Sequence, residues 1–212
     1  IESLGGKKGD YSVIHPNDHV NFGQSTNDVF PTAMRIAALS LLTELFPVVD
    51  ELADRLNEKV EEFDSIIKSG RTHLQDAAPI KLGQEFCGYA SAVSKAVEKI
   101  RRASDALKEL GIGGTAVGTG LNTHPDYAHK IIFELNEITG LGVRASSNYF
   151  EAMQSNAPVT EVSGAVKVLA IELIRIANDL RLLSSGLKTG LAEITLPAVQ
   201  PGSSIMPGKV NP

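Results

Sequence analysis

A single cysteine, Cys87, occurs in 212 residues. That excludes an internal disulfide framework and any thiolate-rich zinc site. It also fits a reducing, cytoplasmic compartment. No apolar run reaches the ~18 residues needed to cross a bilayer, so no membrane partner is expected. A basic excess is missing too. The net charge is −5 and the pI is about 5.6, so no basic face is offered to nucleic acid. No strand-like alternation of useful length and no repeat of fixed period is found. What is present, 42% hydrophobic and 21% charged residues, is ordinary globular composition and not that of a disordered chain. The chain opens at Ile1 without methionine and stops in a Pro/Gly-rich stretch. The expectation is an internal fragment of a longer protein.

Helical spacing is the strongest pattern. Residues 1 to about 26 are rich in turn formers and are expected to be loop. Asn27 and Asp28 are possible caps, with Pro31 near a first turn. Apolar residues then recur from Ile36 through Leu39, Leu42, Val49 and Leu56 to Phe63 in steps of three and four, one face of a long helix. Pro47 should kink or interrupt it. Residues 64–80 are expected to be a connection. A second helix follows from Phe86 to Leu110 and a shorter one over 126–139, while 140–156 look irregular. Val162, Val166, Leu169, Leu173, Ile176, Leu180 and Leu183 alternate steps of four and three, like a coiled-coil seam. The fold class is all-α, with long helices packed side by side.

Some motifs are discounted. Gly111-x-Gly113-x-x-Ala116 fits a dinucleotide-binding pattern, but a helix and not a strand precedes it. His15 and His19 have metal-ligand spacing, yet Pro16-Asn17-Asp18 between them disfavours a helix. His124 and His129 flank a Pro-Asp turn and are expected to be solvated. Cys87, beside Phe86, is expected in the core. The run Glu58, Lys59, Glu61, Glu62 is a solvated helix face. No metal site is assigned.

Three polar segments carry more. The first, His15 to Asp28, precedes a long helix, whose N-terminus suits a carboxylate or phosphate. Ser25, Thr26 and Asn27 add side-chain donors, although simple capping by Asn27 explains them as well. The second, Gly70-Arg-Thr-His-Leu-Gln-Asp-Ala77, offers Thr72 and His73 to an anion or a water. Arg71 and Asp76 there can pair with each other. The third, Gly202-Ser-Ser-Ile-Met-Pro-Gly-Lys-Val-Asn-Pro212, has glycine hinges that would let it close over a ligand. Its Lys209 and Asn211 suit a carboxylate.

Together these segments resemble the fumarase/aspartase superfamily. GSSIMPGKVNP looks like its signature loop, and QSTND and GRTHLQDA look like its other active-site regions. GTAVGTGLNTHPDYA and IANDLRLLSSG extend the likeness over essentially the whole chain. The resemblance implies a long-helix bundle, incomplete in this fragment. Residues 1–26 would be the loop-rich end of an N-terminal region, and 27–212 a central helical domain truncated at the signature loop. It implies a homotetramer with active sites shared between three subunits, a small dicarboxylate substrate and no cofactor. Ser203 matches the general base that removes a proton alpha to a carboxylate. Lys209 and Asn211 match residues that bind that carboxylate and stabilise the aci-carboxylate. Thr72 and His73 match substrate contacts, with His73 in a catalytic role, and Ser25, Thr26 and Asn27 match another binding segment. His15, Asn17 and Asp18 match a secondary anion site.

Within the superfamily two chemistries compete. Ser25-Thr26-Asn27, LGGKKGDY, NDLRLLSSG and Lys188-Thr189 resemble ammonia-lyases acting on aspartate. His73, Leu121 to Tyr127 and Phe150 to Met153 resemble the hydratases that interconvert malate and fumarate. A non-catalytic helical scaffold is the alternative from another class, and the intact motif strings speak against it. The isolated chain is expected to be inactive and to expose apolar seams such as Val162–Leu183.

Overall fold

The computed structural model describes residues 1–186, 188–206 and 208–211. Helices dominate: α1 (Thr26–Glu62), α2 (Leu82–Asp105), α3 (Tyr127–Thr139), α4 (Tyr149–Gln154) and α5 (Ala157–Leu183). An antiparallel hairpin of β1 (Ile67–Thr72) and β2 (Gln75–Lys81) lies between α1 and α2 in sequence. Two short strands, β3 (Glu109–Leu110) and β4 (Arg144–Ala145), pair in parallel. The chain divides into two compact units, Ile1–Val49 with Glu98–Ala165 and Asp50–Val97 with Val166–Pro212.

In the first unit α1 begins with a capping box. The Ser25 hydroxyl accepts from the Asn27 N–H (3.2 Å), and the Asp28 carboxylate accepts from the Ser25 N–H (3.0 Å). The buried stripe of α1 continues through Leu39, Leu42 and Val49, and Ile100, Leu107 and Leu110 are fully enclosed. Gly140 closes α3 in the left-handed region, its N–H donating to the Asn136 carbonyl, as a glycine without Cβ permits. Asn148 caps α4 by accepting from the Glu151 N–H (3.1 Å). In the second unit Phe86, Tyr89, Ala90, Val93 and Ala96 bury one side of α2, with Leu169, Ile176 and Leu183 buried on α5. Phe63, Phe86 and Tyr89 form a row of edge-to-face rings 5.0 and 5.5 Å apart. Gly83 lets α2 start close to the end of α1: an added Cβ would stand 2.5 Å from the Val60 carbonyl oxygen.

Several expectations need correction. The cap of α1 is Ser25 with Asp28, not Asn27. The connection at 64–80 contains the hairpin. Its polar residues, Gly70 and Pro79 hide the alternation, and a two-stranded sheet tolerates a proline that a central strand would not. Of the kink or interruption expected at Pro47, the interruption does not occur: α1 continues through it. Pro47 and Thr43, whose carbonyl loses its partner, are both exposed, so water can take that carbonyl. Helix α4 lies in the supposedly irregular 140–156, too short to show a period. Cys87 is exposed, one position past the buried Phe86. The α5 seam is buried at Val162, Leu169, Ile176 and Leu183 but exposed at Val166, and Ile171, Ile174 and Leu182 are exposed on other faces. Among the described residues no helix is long and apolar enough to cross a membrane.

Candidate functional site

Asp28 organises the first unit. It is fully buried, one oxygen capping α1 and the other accepting from the Gly113 and Thr115 N–H groups at 3.0 and 2.9 Å. The glycine-rich stretch is thereby pinned to the start of α1. Its glycines serve packing: a Cβ on Gly113 would meet the Ala128 Cβ at 2.5 Å, and one on Gly114 the Met153 sulfur at 2.4 Å. This explains GIGGT without a dinucleotide. Nearby, the buried Arg35 guanidinium donates to three backbone carbonyls, those of Glu109, Ala152 (3.1 Å) and Ser155 (3.2 Å). Burial pushes its pKa down, against the raising effect of Glu151 and Glu109.

The anchored stretch shapes one wall of a cavity of about 530 Å³, lined by Thr26, Asn27, Phe30, Val117, Phe150 and Met153 among others. Asn27 Nδ2 donates to the Ala116 carbonyl (2.8 Å). Thr26 and Asn27 are therefore brought together at a pocket, whereas the Ser25 hydroxyl is engaged in the cap.

His15, Asn17 and Asp18 sit on one wide helical turn, Pro16–Val20, so the expectation of no helix there is corrected. Pro16 takes the first position, where its missing N–H costs nothing. His15 Nδ1 accepts from the N–H groups of Asn17 (3.3 Å) and Asp18 (3.1 Å), and His19 Nδ1 accepts from the His15 N–H (2.8 Å). The Asp18 carboxylate lies 3.2 Å from His15 Nδ1. Among the described residues no group of three or more His, Cys, Asp or Glu side chains could hold a metal ion.

In the second unit Thr72 and His73 stand at the tip of the hairpin. Thr72 pairs with Gln75, so His73 and Leu74 are the two-residue turn, with φ of 52° and 61°. Such turns twist with the strands but demand positive φ, normally met by Asn or Gly. Two side chains without that excuse mark stored strain of about 1–3 kcal/mol each. His73 projects into solvent from this tip.

Behind the tip lies a network of half-buried charge. Lys68 contacts Glu85 at 2.5 Å and Glu193 at 2.7 Å, and Arg71 donates to the other Glu193 oxygen. The expected Arg71–Asp76 pair exists only at 3.8 Å. Burial alone would raise the Glu193 pKa, but Arg71 and Lys68 outweigh it and hold the carboxyl below its usual range.

Ser203, Lys209 and Asn211 share one loop. Its base is closed by a bridge between Gln200 and Asn211, by the Val199 N–H donating to the Asn211 carbonyl (3.2 Å), and by Asn211 Nδ2 donating to the Pro201 carbonyl (3.1 Å). The Ser203 hydroxyl accepts from the Ile205 N–H at 3.3 Å. Lys209 lines a cavity of about 380 Å³ with Arg181, Ser184 and Thr195. Among the described residues no hydrogen bond joins the side chains of Ser203 and Lys209. Pro207 and Pro212 of the expected signature string lie outside the described residues, as does Leu187 of the proposed 27–212 region.

Asp28, Arg35, Lys68 and Glu193 were not singled out from sequence as functional. Arg35 had a signal, a cation four residues before Leu39 on the apolar stripe. Asp28 had another, the Ser-x-x-Asp spacing of a capping box.

A family model described as Lyase matches residues 1–212. An aspartate ammonia-lyase from Bacillus subtilis is 50% identical over 212 residues, 100% of this chain and 45% of that protein. A class II fumarate hydratase from Methylorubrum extorquens is 51% identical over the same length and the same shares. A fumarate lyase:delta crystallin from Brucella melitensis superposes with a TM-score of 0.94 at 48% identity, covering 99% of this chain and 46% of that one. The chain thus spans about half the length of the relatives it matches.

Proposed function

The chain belongs to the lyase family, and on that premise we propose that the whole protein eliminates ammonia from L-aspartate to give fumarate. The observation that carries this reading is Thr26 lining the cavity beside Asn27, within a Ser-Thr-Asn segment. In the proposed reaction Ser203 takes the proton alpha to one carboxylate. The electrons left behind build an aci-carboxylate, and they return to form the double bond as the amine leaves the neighbouring carbon. Lys209 and Asn211 meet the second negative charge where it develops, the role in which preorganised donors lower a barrier most. An unperturbed serine is too weak an acid to be ionised at neutral pH, so Lys209 and backbone N–H groups must lower its pKa. Thr72 and His73 at the hairpin tip would contact substrate, and His15, Asn17 and Asp18 would hold a second anion. The scheme uses no cofactor, and the proposed assembly is a homotetramer with sites shared between three subunits.

A hydratase acting on malate is the second reading, favoured by His73 at the strained turn. One methyl group, the difference between Thr26 and a serine, is worth only ~1–3 kcal/mol of discrimination. The test is fumarate absorbance on the full-length protein with L-aspartate and L-malate in parallel. Fumarate and ammonia from aspartate support the first reading, with Thr26→Ser expected to weaken it. Fumarate from malate alone replaces it with the hydratase. No product from either leaves another lyase or a non-catalytic scaffold.

A further inference from the structure

We infer that Glu193 is a positioning residue that locks the hairpin bearing Thr72 and His73 to the segment entering the Ser203–Asn211 loop. The inference rests on the lyase reading above for its catalytic consequence, but not for its geometry. Glu193 and Arg71 are 122 residues apart in sequence. One Glu193 oxygen takes Arg71 and the other lies 2.7 Å from Lys68. Arg71 immediately precedes Thr72. From Glu193 the chain runs six residues to Val199, where the base of the loop is tied to Asn211.

Residues three apart on a regular strand point to opposite faces, yet Lys68 and Arg71 reach the two oxygens of one carboxylate. The ladder slips between Ser69 and Arg71, where Gly70 alone stands opposite Ala77 and Ala78, so the extra residue of the bulge is on β2. Gly70 faces that bulge closely: an added Cβ would lie 2.9 Å from the Ala78 carbonyl oxygen.

Burial makes the grip directional. The Lys68 side chain is 7% exposed and that of Glu193 17%. Charges so placed add little stability over well-packed apolar residues, and their best-attested use is to fix register. Here the register fixed is that of the hairpin tip against the loop base. Glu85, on α2, holds Lys68 from another side and serves as an internal control, since its removal leaves Glu193 joined to both cations.

The test compares Glu193→Gln, Glu193→Asp and Glu85→Gln in the full-length protein. A misplaced catalytic group costs up to ~100-fold per ångström. Glu193→Gln is therefore expected to lower kcat about tenfold or more with KM nearly unchanged, Glu193→Asp to recover part of the loss, and Glu85→Gln to stay near wild type. Amide exchange should accelerate together over 67–81 and 198–211 in Glu193→Gln. A kcat within about twofold of wild type, or equal losses in Glu85→Gln and Glu193→Gln, overturns the catalytic role. Acceleration in only one segment, or in neither, overturns the lock itself. If the wild-type protein makes no fumarate, the lyase reading fails, and amide exchange still decides whether the two segments are joined.

Discussion

Replacing Asp28 by Asn tests the claim that one buried carboxylate holds the glycine-rich stretch. Asp28 is fully enclosed and accepts three backbone N–H groups, from Ser25 at 3.0 Å, Gly113 at 3.0 Å and Thr115 at 2.9 Å. Asparagine is nearly the same shape, so no cavity opens. It has one acceptor oxygen and one donor nitrogen, and either orientation turns that donor against a backbone N–H. With the oxygen toward Gly113 and Thr115, the Ser25 bond is lost and the other two lose their charge assistance. Hydrogen bonds to charged groups contribute about 1.5–3 kcal/mol, and neutral ones about 0.5–1.5 kcal/mol. The expected loss is therefore about 3.5–6 kcal/mol, most of it local. Amide exchange at Gly113 and Thr115 reads it directly, because protection reports the local opening free energy. A loss of about 4.2 kcal/mol corresponds to roughly 1,000-fold faster exchange. Asp28→Ala, which orphans all three donors, should be worse than Asp28→Asn. Unchanged protection in Asp28→Asn, with unfolding within about 0.5 kcal/mol of wild type, would refute the anchoring role.

Leu74→Asn should stabilise the hairpin, because Leu74 is 68% exposed with φ of 61° and asparagine accepts that conformation with less strain. Slower amide exchange across 67–81 would show it, and faster exchange would mean the turn carries no strain. Glu193 has its folded pKa held below the usual carboxylate value of 4.5. Its stabilising contribution is complete above that value and is lost as pH falls through the lower folded pKa. The stability difference between wild type and Glu193→Gln should stay constant through neutral pH and narrow below 4.5. A difference that grows on acidification contradicts the sign. The isolated 212-residue chain should self-associate through exposed Leu41 and Val48 on α1 and Ile171 and Ile174 on α5, each worth about 1.5–3 kcal/mol when fully buried. Sedimentation velocity that finds only monomer at every concentration would refute this, whereas Leu41→Glu with Val48→Glu should reduce association.

The helices were legible because burial writes a period into the sequence. Leu39, Leu42, Val49 and Leu56 on α1, and Val162, Leu169, Ile176 and Leu183 on α5, are all buried. The hairpin left no such trace. A two-stranded sheet has no enclosed face, and of β1 and β2 only Gly70 is fully buried. Positive φ at His73 and Leu74 could not be inferred from a pair without glycine or asparagine. Pro47 does not interrupt α1, because the cost of a helical proline depends on whether water can reach the freed carbonyl, which sequence does not state.

The same asymmetry governs the candidate site. Residues that would do chemistry stand on turns and loops, in compact polar strings: Thr72 and His73 at a hairpin tip, and Ser203, Lys209 and Asn211 on a closed loop. Contiguity made those strings readable. The residues that position them are single charges set among apolar or unremarkable neighbours, and their partners are far away in sequence. Asp28 meets Gly113 across 85 positions, Arg35 meets Ala152 across 117, and Arg71 meets Glu193 across 122. A buried charge is expensive unless every lone pair or proton finds a partner, so each of these contacts constrains two distant segments at once. That cost is the physical reason to expect such residues to act as anchors. It becomes visible only when burial and partner are both known, which a list of residues in chain order does not supply.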